Sequence, residues 1–332
     1  MALVRNLLVR SGEKDLRLDR WFKRHFPQIS HGYLQKLMRT GQIRVNGARI
    51  KSSTRLKEGQ VVRIPPINMD TKRKSQETGS NLSKDEISLV RSMVIYRDDD
   101  IIVVNKPPGL AVQGGSKIFS HLDGLLDGLK FSERERPKLV HRLDKDTSGL
   151  MLLARNSFAA ANLTSAFRER AITKVYWALV VGVPEPREGQ INAPISKQRN
   201  FGIEKMNLGE GDGPPSVSDF LTIETAGKRV AWLALRPQTG RTHQLRVHCK
   251  ILGTPILGDG KYGGKEAFID GLPFVRKLHL HARSLEFKHP SGEKMFFEAP
   301  LSPDMGKTWQ FFGFDINCST DVFTDMDVKE KA

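Results

Sequence analysis

The first 74 residues carry eighteen Lys and Arg against five Asp and Glu, a net of +13, whereas the remaining 258 carry thirty-five against thirty-two. Concentrating most of a net +16 in under a quarter of the chain divides it into a small anion-binding module and a nearly neutral body. At 332 residues there is length for both, each with its own core. Nucleic acid is the polyanion that such a module suits. A membrane surface also attracts basic residues, but no helical pattern here couples a basic face to a wide Leu and Trp face, and no window approaches 18 uninterrupted apolar residues. Partners are therefore expected among nucleic acids rather than membranes. Cys249 and Cys318 allow at most one disulfide and give no metal spacing, so a reducing cytoplasm is expected. The start, MALVRNLLVRSGEKD, lacks a small-residue cleavage signature and reads as a first strand rather than a transit peptide.

Periodicity sets the expected layout. In the basic module, residues 1–66, a helix opens at Leu16-Arg17-Leu18-Asp19-Arg20-Trp21-Phe22. A second, capped by Ser30, runs through Tyr33, Leu34, Leu37 and Met38 to Gly41. Lys36 and Arg39 point away from that apolar face. Gln42 to Val45 reads as a strand entering an Asn46-Gly47 hairpin turn, and Val61 to Ile64 closes the small sheet. Arg44, Arg49, Lys51, Arg55 and Lys57 lie along it. Residues 67–90 are polar and without period, a linker. The body, 91–313, begins with strands at Met93–Tyr96 and Ile101–Val104, the latter breaking at Asn105-Lys106-Pro107-Pro108-Gly109. A helix starts at Asn156, Thr173 to Val181 alternates as a strand, and Phe220–Ile223 and Val230–Arg236 follow as strands. The glycine-rich Ser196 to Val217 reads as a loop, either a mobile one facing the nucleic acid or plain surface decoration, and residues 314–332 as an acidic tail that frays.

Between Lys138-Leu139-Val140 and Leu150-Met151-Leu152-Leu153 stands HRLDKDTSG, residues 141–149, a charged loop projecting Asp144 from two strands. On its own this aspartate is either a turn cap paired with a neighbouring arginine or a carboxylate poised for chemistry. Two further segments bear on the choice: Lys174-Val175-Tyr176, where Tyr176 faces opposite to Val175 and Trp177, and GRTHQLRVH, residues 240–248. The latter alternates, so Arg246 is expected on a strand sharing a face with Gln244 and His248. His243, His248, His279 and His281 have no Cys or carboxylate at ligand spacing, so no metal site is expected. No P-loop is present.

NKPPG, HRLDKDTSG, Lys-x-Tyr and GRTHQLRVH occur here in the order found in the RluA family of pseudouridine synthases, and the chain resembles its RluC and RluD branch over about residues 13 to 300. The resemblance implies an α+β fold: a mixed, mainly antiparallel sheet with a central cleft, preceded by a small basic RNA-binding domain of the kind shared with a ribosomal protein. It implies isomerisation of uridine to pseudouridine in RNA, most of all 23S large-subunit ribosomal RNA, by a monomer that needs no cofactor. Transfer RNA is the alternative substrate. A noncatalytic RNA-binding ribosome-assembly factor is the alternative class.

By the same resemblance Asp144 is the essential carboxylate, acting either as nucleophile at the anomeric carbon or as base at the neighbouring ribose carbon. Arg246 supplies the cation that such an aspartate needs within about 4 to 6 Å. Tyr176 stacks on the base or serves as the base at carbon 5. Arg142 fills the gap left by the flipped nucleotide. Leu280, from the Leu278-His279-Leu280-His281 strand, completes the pocket, and Arg241 is structural or a phosphate contact. Lys36, Arg39, Arg44 and Arg49 face RNA in the basic module. Asp146 pins its loop through Thr147 and Ser148.

Overall fold

The computed structural model describes residues 4–27, 29, 31–67, 82–114, 120–133, 135–200, 203–208, 213–272, 277–317 and 323. The chain divides into two compact units between residues 80 and 81. In the first, β1 (Arg5–Leu8), α1 (Leu18–His25), α2 (His31–Arg39), β2 (Arg44–Val45) and β3 (Val61–Ile64) enclose one core. The strands form an antiparallel sheet in the order β1-β3-β2. Leu18, Trp21 and Phe22 of α1 meet Leu34, Leu37 and Met38 of α2, the i, i+3, i+4 spacing that puts apolar side chains on one helix face. Asn46 and Gly47 both take positive φ, 48° and 78°, the geometry of the tight hairpin turn that Asn-Gly favours. Tyr33, expected on the apolar face, is instead exposed. Ser30 lies outside the described residues.

The second unit begins earlier than expected. Inside the stretch read as linker, α3 (Lys84–Ser92) is capped by Ser83, whose hydroxyl accepts from the Glu86 amide while the Glu86 carboxylate accepts from the Ser83 amide. Val90 anchors it, fully buried among Leu122, Leu125 and Leu126. A polar surface hid a helix whose buried stripe is only one or two residues wide.

From there the chain runs through β4 (Val94–Arg97), β5 (Ile101–Lys106), α4 (Leu122–Leu125), β6 (Lys138–Leu139), β7 (Ser148–Ala154), α5 (Ser157–Glu169) and β8 (Thr173–Val181). It continues through β9 (Glu188–Asn192), β10 (Ile195–Asn200), β11 (Ile203–Leu208), β12 (Val217–Ala226), β13 (Val230–Pro237) and α6 (Gln244–Ile251). It closes with β14 (Leu280–Lys288), β15 (Lys294–Glu298) and α7 (Pro303–Phe311). One long sheet runs β4-β5-β7-β14-β8-β13-β12-β9, with β6 on β7 and β15 on β14. Among the described strands every pairing is antiparallel except β7 with β14, a parallel seam of two residue pairs, His281 with Ser148 and Ala282 with Gly149. Gly149 holds φ 107°, and a Cβ there would lie 2.3 Å from the Ala282 carbonyl oxygen. Only glycine permits this approach. Buried clusters cover both faces of the sheet, one around Met151, Leu153 and Leu122, another around Leu150, Leu152 and Leu163.

Three expectations are overturned. The GRTHQLRVH segment is not a strand: Gln244 to Ile251 form α6, and Leu245, Cys249 and Leu252 pack inward at helical spacing. The stretch read as a loop from Ser196 contains the antiparallel hairpin of β10 and β11, with Met206 packed near Ile195, Val247 and Tyr262. The tail, where described, is folded, since Phe314 joins Trp232 and Trp309, and Phe323 packs on Val175 and Ala234. Its aromatic residues, not its acidic ones, decide its fate. Among the described residues no helix is long and apolar enough to cross a membrane.

Candidate active site

The turn after β6 brings His141 to Asp144, and Thr147, into the wall of a cavity of about 320 Å³. Asp144, Arg142, Tyr176, Arg241, Arg246 and Leu280 all line it, so the structure gathers six dispersed sequence candidates at one place. They come from a turn, two neighbouring strands and a helix start. Tyr176 and Leu280 sit on β8 and β14, which pair antiparallel with Leu280 opposite Ala178. Arg246 is on the first turn of α6, and Arg241 lies exposed in the turn before it, its backbone N–H donating to the Gln244 side chain at 3.0 Å.

Two groups face the Asp144 carboxylate. Arg246 Nη1 is 3.9 Å from Oδ2, and His243 Nε2 is 3.7 Å from the same oxygen. Arg246 is nearly buried, and burial opposes its charge, but hydrogen bonds to Asp259 and the field of Asp144 outweigh that and raise its pKa. Those bonds run from Nε and Nη2 to the two Asp259 oxygens at 2.8 and 2.7 Å, a planar fork on a carboxylate whose side chain is wholly shielded from solvent. The Arg246 guanidinium also lies 5.0 Å over the Tyr262 ring.

His243 occupies the left-handed region, φ 56° and ψ 20°, at the N-cap of α6. Its Nδ1 is 2.6 Å from the Tyr262 hydroxyl, which accepts from the Met206 backbone N–H at 3.2 Å. With the Tyr262 hydroxyl donating to Nδ1, the single N–H of the neutral ring sits on Nε2 and points at Asp144. Burial lowers the His243 pKa, with Asp144 acting in the opposite sense and Arg246 adding to the fall. A neutral imidazole donating N–H toward the carboxylate follows.

Tyr176 is half-buried, and burial together with Asp144 pushes its phenol up beyond the ordinary range. His141 stacks on Phe167 with ring centroids 4.3 Å apart and accepts the Leu152 amide at 2.8 Å; burial takes its pKa down to about 3, so it is neutral. Arg142 is exposed, with no hydrogen-bond or ion-pair partner among the described residues.

The loop is not braced by Asp146, which is exposed and bonds neither Thr147 nor Ser148. Instead the ammonium of Lys106, from the NKPPG turn, donates to the carbonyls of Pro107, Leu110 and Lys145 at 2.9 to 3.0 Å, and the Gly109 amide also donates to Lys145. Lys106 is fully buried and burial takes its pKa down to about 8, against the pull of Asp146 and Asp144. At the far end Ser148 is 2.9 Å from His281 Nδ1.

Sequence reasoning missed Asp259, Tyr262, His243 and Lys106 as parts of the site. Asp259 lies in a glycine-rich run, Leu257 to Gly264, whose composition signals only turns. The histidines considered for metal have other places: His243 and His248 belong to the start and body of α6, not to strands. His279 contacts Thr308 and two carbonyls, and His281 contacts Ser148 and the Ala299 carbonyl.

In the first unit the basic residues sort into two kinds. Lys36 and Arg39 are exposed on α2 without partners among the described residues. Arg44 instead donates to the carbonyls of Gly41 and Gly47, and the Arg49 guanidinium lies against Gly41, where a Cβ would stand 2.6 Å from its Nε.

Residues 100–250 match the RNA pseudouridylate synthase family and residues 16–62 the S4 domain. The ribosomal large subunit pseudouridine synthase C of Rickettsia conorii is 35% identical over 274 residues, 81% of this chain and 88% of that protein. This chain belongs to the RNA pseudouridylate synthase family. The pseudouridine synthase C of Vibrio parahaemolyticus matches it at 35% over 304 residues, 88% of this chain and 91% of the relative. Among solved structures, human RNA pseudouridylate synthase domain containing 4 superposes with a TM-score of 0.59 at 28% identity, covering 71% of this synthase and 99% of the human chain. The family match spans Asp144, Tyr176 and Arg246, and leaves Asp259, Tyr262 and Leu280 to be read from the geometry alone.

Proposed function

We propose that this synthase isomerises uridine to pseudouridine in large-subunit ribosomal RNA, with Asp144 as the catalytic carboxylate. The substrate follows the two relatives named above, both large-subunit enzymes, and a cytoplasmic place of work goes with that substrate. The observation that carries the reading is one carboxylate set between a guanidinium and an imidazole N–H at the mouth of a cavity walled by Tyr176 and Leu280.

The reaction breaks the bond from ribose carbon 1 to uracil nitrogen 1, turns the base, and forms a bond from the same carbon to carbon 5. The proton on carbon 5 leaves and nitrogen 1 gains one, so atoms balance with no oxidant. Asp144 serves at the sugar, either by attacking carbon 1 or by taking a proton from carbon 2. Arg246 and His243 hold it oriented and stabilise its charge. Tyr176, with its phenol pushed up by burial, works as a neutral ring that stacks on the uracil and relays a proton rather than as a phenolate. Arg142, exposed and unpaired at the cavity rim, fills the space of the extracted nucleotide, and Arg241 contacts phosphate beside it. Lys36 and Arg39 of the S4 unit attract RNA through phosphate contacts. Arg44 and Arg49 chiefly hold their own loop.

Release of tritium from carbon-5-labelled uridine in large-subunit ribosomal RNA tests this. Wild type should release one tritium per pseudouridine formed, and Asp144→Asn should bind the RNA and release none. Turnover by Asp144→Asn at the wild-type rate would overturn the assignment, and free uracil among the products would replace isomerisation by base excision. Exclusive turnover on transfer RNA would replace the ribosomal substrate.

A further inference from the structure

Lys174 stands two residues before Tyr176 on β8 and shares its face of the strand. It lines the catalytic cavity and also an adjoining polar cavity of about 460 Å³, and Arg170 lines both as well. The Lys174 side chain is half-buried, and its ammonium has no hydrogen-bond or ion-pair partner among the described residues. The carboxylate of the second cavity, Asp219, is already taken, accepting from Gln190 at 3.0 Å, Arg236 at 2.9 Å and Gln238 at 2.7 Å. The imidazole beside it, His141, is neutral. The charged neighbour that acts on Lys174 is Arg170, a second cation, exposed at the C-cap of α5 in a left-handed conformation, φ 63°.

Two cations facing shared empty space with no counter-ion are costly to keep, the more so with one ammonium drawn partly out of water. Such an arrangement is relieved when a ligand brings the negative charge. The position says which ligand. Along a strand, Lys174 and Tyr176 are separated by about 6.6 Å, so a uracil ring against Tyr176 leaves its sugar–phosphate passing Lys174 on its way out of the catalytic cavity.

We propose that Lys174 and Arg170 form a binding subsite for one phosphodiester flanking the target uridine. The inference rests on the reading that the catalytic cavity takes a uridine of RNA. The ammonium fixes the strand where it turns into the site, and the adjoining cavity receives the next stretch of backbone.

The test uses full-length enzyme and a uridine-containing ribosomal RNA fragment that wild type modifies. Lys174→Met should weaken apparent RNA affinity about tenfold at fixed salt, leave the single-turnover rate at saturation near wild type, and lower the slope of log affinity against log salt by about one. Lys174→Arg should restore affinity. Fragments carrying a methylphosphonate on the 5′ or the 3′ side of the target uridine identify the phosphate. One of them should weaken wild type as much as Lys174→Met does and have no further effect on that variant. Because the substitution removes a partly desolvated charge, it should melt no lower than wild type, and Lys174→Gln serves the same comparison if Lys174→Met misfolds. Unchanged affinity and salt slope, or a slower rate with affinity intact, overturns the subsite. Full loss of activity by wild type on all uridine-containing RNA would instead overturn the functional reading, a separate result.

Discussion

Arg246 gives two of its guanidinium nitrogens to Asp259, at 2.8 and 2.7 Å, and turns the third toward Asp144 at 3.9 Å. Asp259 therefore fixes the plane of the cation that faces the Asp144 carboxylate. Asp259→Asn keeps the shape and removes the charge, leaving a buried guanidinium poorly paired. Turnover should fall about 100-fold, the scale on which a misplacement of about 1 Å is felt. Stability should fall by about 3 kcal/mol or more. Single-turnover tritium release beside a thermal melt measures both, and a variant with wild-type rate would remove Asp259 from the site.

Tyr262→Phe deletes the hydroxyl that orients His243 and holds the Met206 amide. The imidazole is then free to flip its tautomer and present a lone pair to Asp144. About tenfold in kcat should be lost with KM unchanged, at a stability cost of about 1 kcal/mol. A rise in KM with kcat intact would show that the tyrosine shapes RNA contacts instead.

Lys106 predicts opposite trends for stability and activity with pH. Its pKa falls from 10.5 to about 8 on folding, because burial penalises the ammonium. Between pH 8 and 10.5 the unfolded chain thus holds more protons than the folded one, so this group raises stability as pH rises, by at most about 1.4 kcal/mol per unit. Across the same window the ammonium that ties down the Asp144 loop is lost, and turnover should decline above pH about 8. Melts and rates of wild type and Lys106→Met at pH 7 to 10 check this. If the two proteins show parallel profiles, Lys106 is not the titrating brace.

Gly149→Ala should destabilise by about 3 kcal/mol or more in urea titrations, since its Cβ would press on the Ala282 backbone and its φ would be strained. A change under 1 kcal/mol would mean that β7 and β14 separate readily there.

Much of this was legible in the sequence. Runs such as Ile101–Val104 and Leu150–Leu153 announced buried strands because no helix of that length could hide every side chain. The α6 reading failed because Leu245 and Val247 mimic alternation, while the helical set, Leu245, Cys249 and Leu252, extends beyond the motif. In the site, Asp144, Tyr176 and Arg246 carry recognisable neighbours in sequence. Asp259 and Tyr262 do not: they reach Arg246 and His243 only because a glycine-rich turn folds back on α6, a tertiary event that no local pattern encodes.

The parallel seam has a bearing on the chemistry. On one side of Gly149 and Ala282 lie β7 and the turn holding Asp144; on the other lie β8, with Tyr176, and α6, with Arg246. Buried side chains bridge that seam from both directions: Leu143, Met151 and Leu153 share one cluster with Ala282 and Tyr176, and Leu150 and Leu152 another with Leu285 and Phe287. The two halves are thus clamped by packing where backbone bonds are fewest, and that packing sets the distance from Asp144 to Arg246.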